Sequence, residues 1–180
     1  NKMKSILFIP LSDYFKSRKQ VWRKFTFPVV VGIISLVAAL VLDVGGKDKI
    51  IHLFSEFIGT QINIVAILVS FSVAIISILV SADNENIRRL KETESDKGSY
   101  KPINGKQLSL FQILLSNIAY NVIVEIAYLT LLIFISIAQS VLPICWLKYV
   151  TSVCIIVIAH ILLVLMESVA QMYLTFWKYK

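Results

Sequence analysis

Between Glu56 and Asp83 the chain runs twenty-six residues, from Phe57 to Ala82, without a charge. A hydrocarbon core about 30 Å thick is crossed by roughly 20 mostly apolar helical residues, so this run is long enough to span a bilayer. Lys24 and Asp43 bracket a second such run, Phe25 to Leu42, of eighteen residues. From Gln107 to Leu147 only Glu125 is charged, and from Tyr149 to Trp177 only Glu167, with His160 also titratable. Pro143 divides these last two stretches, because its ring ends a helix. The pattern predicts four spans at 26–43, 58–82, 109–138 and 149–175.

Composition supports this. The 180 residues are 57% hydrophobic and 16% charged, with mean hydropathy +0.78, whereas soluble domains are about 45–50% apolar and about 25% charged. Burying these helices in a soluble core would leave nearly all the polar surface to one N-terminal arm and one loop. A β-barrel alternates apolar and polar residues over about ten positions, and runs such as ILLVL (161–165) do not alternate. The expected fold is an all-α, integral membrane four-helix bundle.

Basic residues orient it. Seven precede the first span, six lie in the second loop (Arg88, Arg89, Lys91, Lys97, Lys101, Lys106), and Lys178 and Lys180 follow the last span. The other side has only Lys47, Lys49 and Lys148. The positive-inside rule places both termini and the second loop in the cytoplasm. No cleavable signal peptide is expected, since no apolar segment ends in a small-residue cleavage site near the start.

The domain reading is a cytoplasmic arm over 1–25, the transmembrane domain over 26–175 with a long cytoplasmic loop at 83–108 between its second and third helices, and a tail at 176–180. Within the arm, LSDYFKSRKQVWRKF (11–25) is expected to form an amphipathic helix on the membrane surface. Leu11, Phe15, Trp22 and Phe25 would face lipid, with Lys16, Lys19, Arg23 and Lys24 near anionic headgroups. Such segments gain about 1 kcal/mol per charge near an anionic surface. The arm serves either as a topology signal and anchor or as a lipid sensor.

In the second loop, Asn84 to Glu94 is expected to extend the second span, and Asn104-Gly105 to form a turn. Ser109 with Gln112 fits a capping box opening the third helix. Five acids and six bases leave the loop nearly neutral, which argues against nucleic acid, because phosphate binding wants a one-signed patch. It is either a solvated connector or a docking site for a cytoplasmic protein. On the outer side, IIHLFSEF (50–57) reads as a short amphipathic piece.

Two sets of residues stand out inside the bilayer. In the second span Gly59, Asn63, Ala66, Ser70, Ala74, Ser77 and Ser81 lie within about 80° of one another at ~100° per residue. Small residues let helix backbones approach closely, so this is a packing face, within the subunit or between subunits, with a pore lining as the alternative. The second set is polar: Asn117, Asn121 and Glu125 in the third span, His160, Glu167 and Gln171 in the fourth. A charge at mid-bilayer costs roughly 2.5–3.5 kcal/mol on insertion scales, so these should point inward and have partners. An antiparallel hairpin about Pro143 puts Glu125 level with His160, and Asn117 level with Glu167. The set is a register-fixing network, a proton or ion path, or a switch.

One intramembrane His does not make a metal site, and no cofactor is expected. Cys145 and Cys154, nine residues apart around the start of a helix, are expected as free thiols. No nucleotide-binding, metalloprotease or acyltransferase motif occurs, and no enzymatic activity is expected. Small four-helix drug/proton antiporters are shorter and carry their essential Glu in the first span, where this chain has none.

With SLFQILLSNIAYNVIVEIAYL (109–129) as its nearest approach to a motif, the layout resembles the small membrane subunit of the bacterial Kiwa anti-phage system. The likeness is one of architecture and covers most of the chain. It implies an inner-membrane sensor that forms a homo-oligomer, with a tetramer as one form, and holds a cytoplasmic protein subunit. Two functions follow as expectations. One is a non-enzymatic membrane sensor and scaffold for a cytoplasmic partner in anti-phage defence. The other is a pore-forming or ion-conducting effector using Glu125, His160 and Glu167.

Overall fold

A computed structural model describes residues 2–41, 46–103 and 105–178. The expected end of the first span at Leu42 and Asp43, Asn104 of the expected turn, and the last two residues of the tail lie outside the described residues. So do the side chains of residues 174–178.

Six helices make up the fold: α1 Lys2–Ser17, α2 Arg23–Val41, α3 Lys47–Ser81, α4 Glu85–Glu92, α5 Leu110–Ala138 and α6 Ile144–Lys178. Among the described residues there are only isolated bridges and no strand. α2, α3, α5 and α6 are each long and apolar enough to cross a membrane. Their outward surfaces agree with that. Ile34 is 63% exposed, Ile67 69%, Phe134 65% and Met166 70%, a degree of apolar exposure that suits a lipid solvent.

Several boundaries differ from expectation, each for a local reason. The amphipathic helix predicted over 11–25 is two helices with a break. α1 ends at Ser17, whose hydroxyl donates to Tyr14 O at 3.2 Å, and α2 begins at Arg23. Between them the backbone leaves the helix to pair with the second connection: Lys101 N donates to Ser17 O at 2.8 Å and Lys19 N to Ser99 O at 3.1 Å. Leu11, Phe15, Trp22 and Phe25 therefore do not share one helical face.

α3 starts at Lys47, eleven residues before the predicted 58, so the outer piece IIHLFSEF is its first turns. His52 and Glu56 approach to 3.6 Å one turn apart in that segment. α4 is a separate helix, not an extension of α3. Asn84 caps it, accepting from Ile87 N at 3.0 Å. The capping box of α5 is present in both directions: Ser109 N donates to Gln112 Oε1 at 2.9 Å, and Gln112 N to Ser109 Oγ at 3.2 Å. α6 starts directly after Pro143, five residues ahead of the predicted 149. Both cysteines are free and sit on that helix.

The chain divides into two compact units. The first comprises Asn1–Trp22, Ser70–Ile123 and Leu163–Lys180. Its core holds Leu79, Leu114 and Ile118, and α4 adds Ile87 and Leu90 to it. The opposite face of α4 carries exposed ion pairs, Arg88 to Glu85 at 2.7 Å and Arg89 to Glu85 at 3.2 Å. The turn that follows closes tightly: Ile103 and Lys106 exchange two backbone bonds of 3.0 Å, with Gly105 at φ 75°, a left-handed conformation that favours glycine.

The second unit comprises Arg23–Val69 and Val124–Leu162. Phe54, Ile58, Val65, Tyr128, Leu132, Leu147 and Ile161 form its core. Tyr128 Oη donates to Cys154 O at 3.0 Å and lies 3.4 Å from Gln61 Oε1. α2 meets α6 at Gly32, whose carbonyl accepts from Ser152 Oγ at 2.7 Å. A Cβ at Gly32 would collide with the Ile156 side chain, so the close approach requires glycine.

Candidate functional site: a buried arginine clamp

The centre of the first unit is Arg18. The residue follows the last turn of α1, and its backbone bridges to Tyr100, which aims the side chain inward. It is 3% exposed. Nη1 donates to Glu167 of α6 at 3.2 Å and 3.4 Å, reaching both carboxylate oxygens. Nη2 donates to Asn117 Oδ1 of α5. The guanidinium lies 4.2 Å from the Tyr14 ring centroid and 5.7 Å from that of Tyr100. Arginine suits this place because its planar fork reaches two acceptors at once and its weakly hydrated face stacks on rings.

A second layer locks the first. Asn117 Nδ2 donates to Gln171 Oε1 at 3.1 Å, and Gln171 Nε2 donates to Tyr100 Oη at 2.7 Å and to Glu167 Oε1 at 3.3 Å. Tyr14 in turn stacks flat on Tyr120, with centroids 3.7 Å apart and planes 7° from parallel. Arm, second connection, α5 and α6 thus converge on one cation. Burial pushes the Tyr14 and Tyr100 phenols above their ordinary pKa, with the Arg18 charge opposing it. Both remain neutral hydrogen-bonding groups at physiological pH.

The arrangement reaches the connection as well. Lys19 Nζ donates to Lys97 O at 2.7 Å. Asp96 accepts from Gly98 N and Ser99 N, both at 3.1 Å, and from Ser99 Oγ at 2.8 Å. The Gly98 amide above all, then Ser99, holds this carboxyl below its ordinary pKa. Gln107 Nε2 ties Ser95 at both its carbonyl, 3.1 Å, and its hydroxyl, 2.9 Å. Among its described residues, the stretch read as a connector or docking loop thus carries α4, these hydrogen bonds and the buried Tyr100.

Of the six intramembrane polar residues singled out from the sequence, Asn117, Glu167 and Gln171 come together around Arg18. Asn121 is buried one turn further along α5. Glu125 and His160 belong to the second unit, Glu125 fully buried and His160 5% exposed. His160 stacks on Phe25, with centroids 4.5 Å apart. The packing face expected on the second span turns outward: Gly59, Asn63, Ala66, Ser70, Ala74, Ser77 and Ser81 are all exposed, and α3 buries Phe54, Ile58, Gln61, Val65, Ser72 and Leu79 instead. Of the basic residues expected at lipid or a partner, Lys16, Lys19, Arg23, Arg88, Arg89 and Lys91 are exposed, and Lys24 is half-buried.

Sequence reasoning missed Arg18 by counting it among seven topology-setting cations. The signal was the unbalanced acid: a carboxylate near a span end needs a cation, and Tyr14 one turn before Arg18 offered it a ring. No family model, no curated protein and no solved structure matches this chain.

Proposed function

We propose that the chain is a non-enzymatic sensor and scaffold of the bacterial inner membrane, with both termini and the 82–109 connection on the cytoplasmic side. It oligomerises and recruits a cytoplasmic protein in anti-phage defence, as the Kiwa-type membrane subunit that it resembles implies. The observation that carries this reading is the arginine clamp. A passive connector needs no buried guanidinium, whereas a platform that must hold its shape for a partner does. In the same unit, α4 offers an exposed mixed-sign face suited to a protein and unsuited to nucleic acid.

Oligomerisation is supported by the outward stripe on α3. A lipid-facing helix gains nothing from small residues, and Asn63 puts an exposed amide on the same stripe, where interhelical hydrogen bonds act as glue. The test of recruitment is the triple variant Arg88→Glu/Arg89→Glu/Lys91→Glu. Membrane insertion should persist while co-purification of the cytoplasmic partner is lost; unchanged co-purification removes this docking face.

The ion-conducting reading has one observation in its favour, the burial of Glu125 and His160 within apolar helices. Conductance in liposomes that is lost in Glu125→Gln would support it, and a tight bilayer would dismiss it.

A further inference from the structure

The arm contains one acidic residue, Asp13, among seven basic ones. It lines a cavity of about 290 Å³ that opens between α1 and α5 within the first unit. Asp13 and Pro10 line it from α1, Leu115, Ser116 and Ala119 from α5, and Leu108 from the connection. Ser116 Oγ is buried and makes no hydrogen bond. Asp13 is half-buried, and no ion pair of its carboxylate is found among the described residues. Two polar groups of complementary kind, an anion and a hydroxyl, thus line one largely apolar hollow, together with Ser17 and Gln112. Its volume is near the lower end of the ~300–1,000 Å³ usual for ligand sites.

The chemistry selects the ligand. An anion beside an oxygen acceptor calls for a cation bearing N–H donors, and charge-assisted bonds of that kind are the strong ones. The apolar remainder calls for a hydrocarbon tail. The arm itself supplies the source: Phe8 is 63% exposed, Ile9 48% and Phe15 44%. These are apolar surfaces next to Pro10 that a bilayer covers. A quaternary choline headgroup has no N–H to donate, whereas ethanolamine has three.

We propose that this cavity binds the ethanolamine headgroup of a phospholipid, its ammonium donating to Asp13 and Ser116 and its first methylenes lying against Leu115 and Ala119. The site sits one turn before the clamp residue Arg18, so lipid occupancy bears on how the arm seats. The inference goes beyond the scaffold reading and does not depend on a partner.

The experiment uses the full chain in detergent, stripped of lipid and titrated with short-chain phosphatidylethanolamine under native mass spectrometry. One molecule should bind per chain, at least tenfold more tightly than phosphatidylcholine of the same chain length. Asp13→Asn should bring the two lipids to equal affinity. Ala119→Trp, which fills the hollow, should abolish the tight site while helix content by circular dichroism is kept. Equal binding of the two lipids by the unmodified chain overturns the proposal, as does undiminished preference in Asp13→Asn. Free ethanolamine binding as tightly as the lipid overturns the assignment to a membrane ligand.

Discussion

Arg18 Nη1 stands 3.2 Å from Glu167 Oε1 across 149 positions of sequence, joining the end of the N-terminal arm to the last long helix. The cation is 3% exposed. Removing one member of a buried pair leaves the other uncompensated, at a cost of about 3–5 kcal/mol. Glu167 keeps 26% of its side-chain exposure, so Arg18→Met should destabilise by about 3 kcal/mol, the lower end of that range. Equilibrium unfolding in detergent measures it. Arg18→Met combined with Glu167→Gln should recover part of the loss, and a strictly additive double variant would show that the two do not interact.

Gly32 sets the approach of α2 to α6. Gly32→Ala drives a methyl into Ile156 and disturbs the Ser152 bond, and overpacking of this kind costs about 1–3 kcal/mol. Adding Ile156→Ala should restore most of the thermal stability, because it empties the space the new Cβ takes. A Gly32→Ala protein as stable as the parent would mean that the helices can separate freely.

The outward stripe of α3 predicts a separation of folding from assembly. Gly59→Leu, Ala66→Leu and Ala74→Leu fall at positions exposed in the protomer, so each should insert and stay helical. Together they should shift the protein to smaller species by light scattering in detergent. An unchanged mass would place the subunit interface elsewhere.

Asp96 gives the connection a pH dependence. Its carboxyl is held below the ordinary range by the Gly98 amide and by Ser99, so the ionised form is favoured when folded. The stability it contributes is present above the unfolded carboxylate pKa and is lost as pH falls through the lowered value. Amide exchange at Gly98 and Ser99 should accelerate as pH drops through that window, after correction for intrinsic rates. In Asp96→Ala the extra acceleration should be absent.

Much of this was legible from residue order. Four spans follow from charge-free runs, the α5 start from Ser109 and Gln112, and the convergence of Asn117 with Glu167 from counting outward from Pro143. What was not legible has common causes. Glu56, with Lys47, Asp48 and Lys49 before it, hid the first eleven residues of α3, because a hydropathy rule stops a span where a helix goes on. The break between α1 and α2 was hidden because its cause is a tertiary pairing, Ser17 and Lys19 with residues 99–101, that no local pattern encodes. Arg18 was hidden among similar neighbours: Lys16 and Lys19 face solvent, whereas Arg18, whose backbone bridges to Tyr100, is buried.

The clamp is the contact that holds arm and connection together, and hydrogen exchange at two amides tests it most directly. Lys101 N–H bonds Ser17 O and Lys19 N–H bonds Ser99 O, joining arm and connection on either side of Arg18. In the intact protein both amides should be protected, and in Arg18→Met both should lose about a hundredfold of that protection, the factor that roughly 3 kcal/mol of local stability corresponds to. Equal protection in the two proteins would contradict the account.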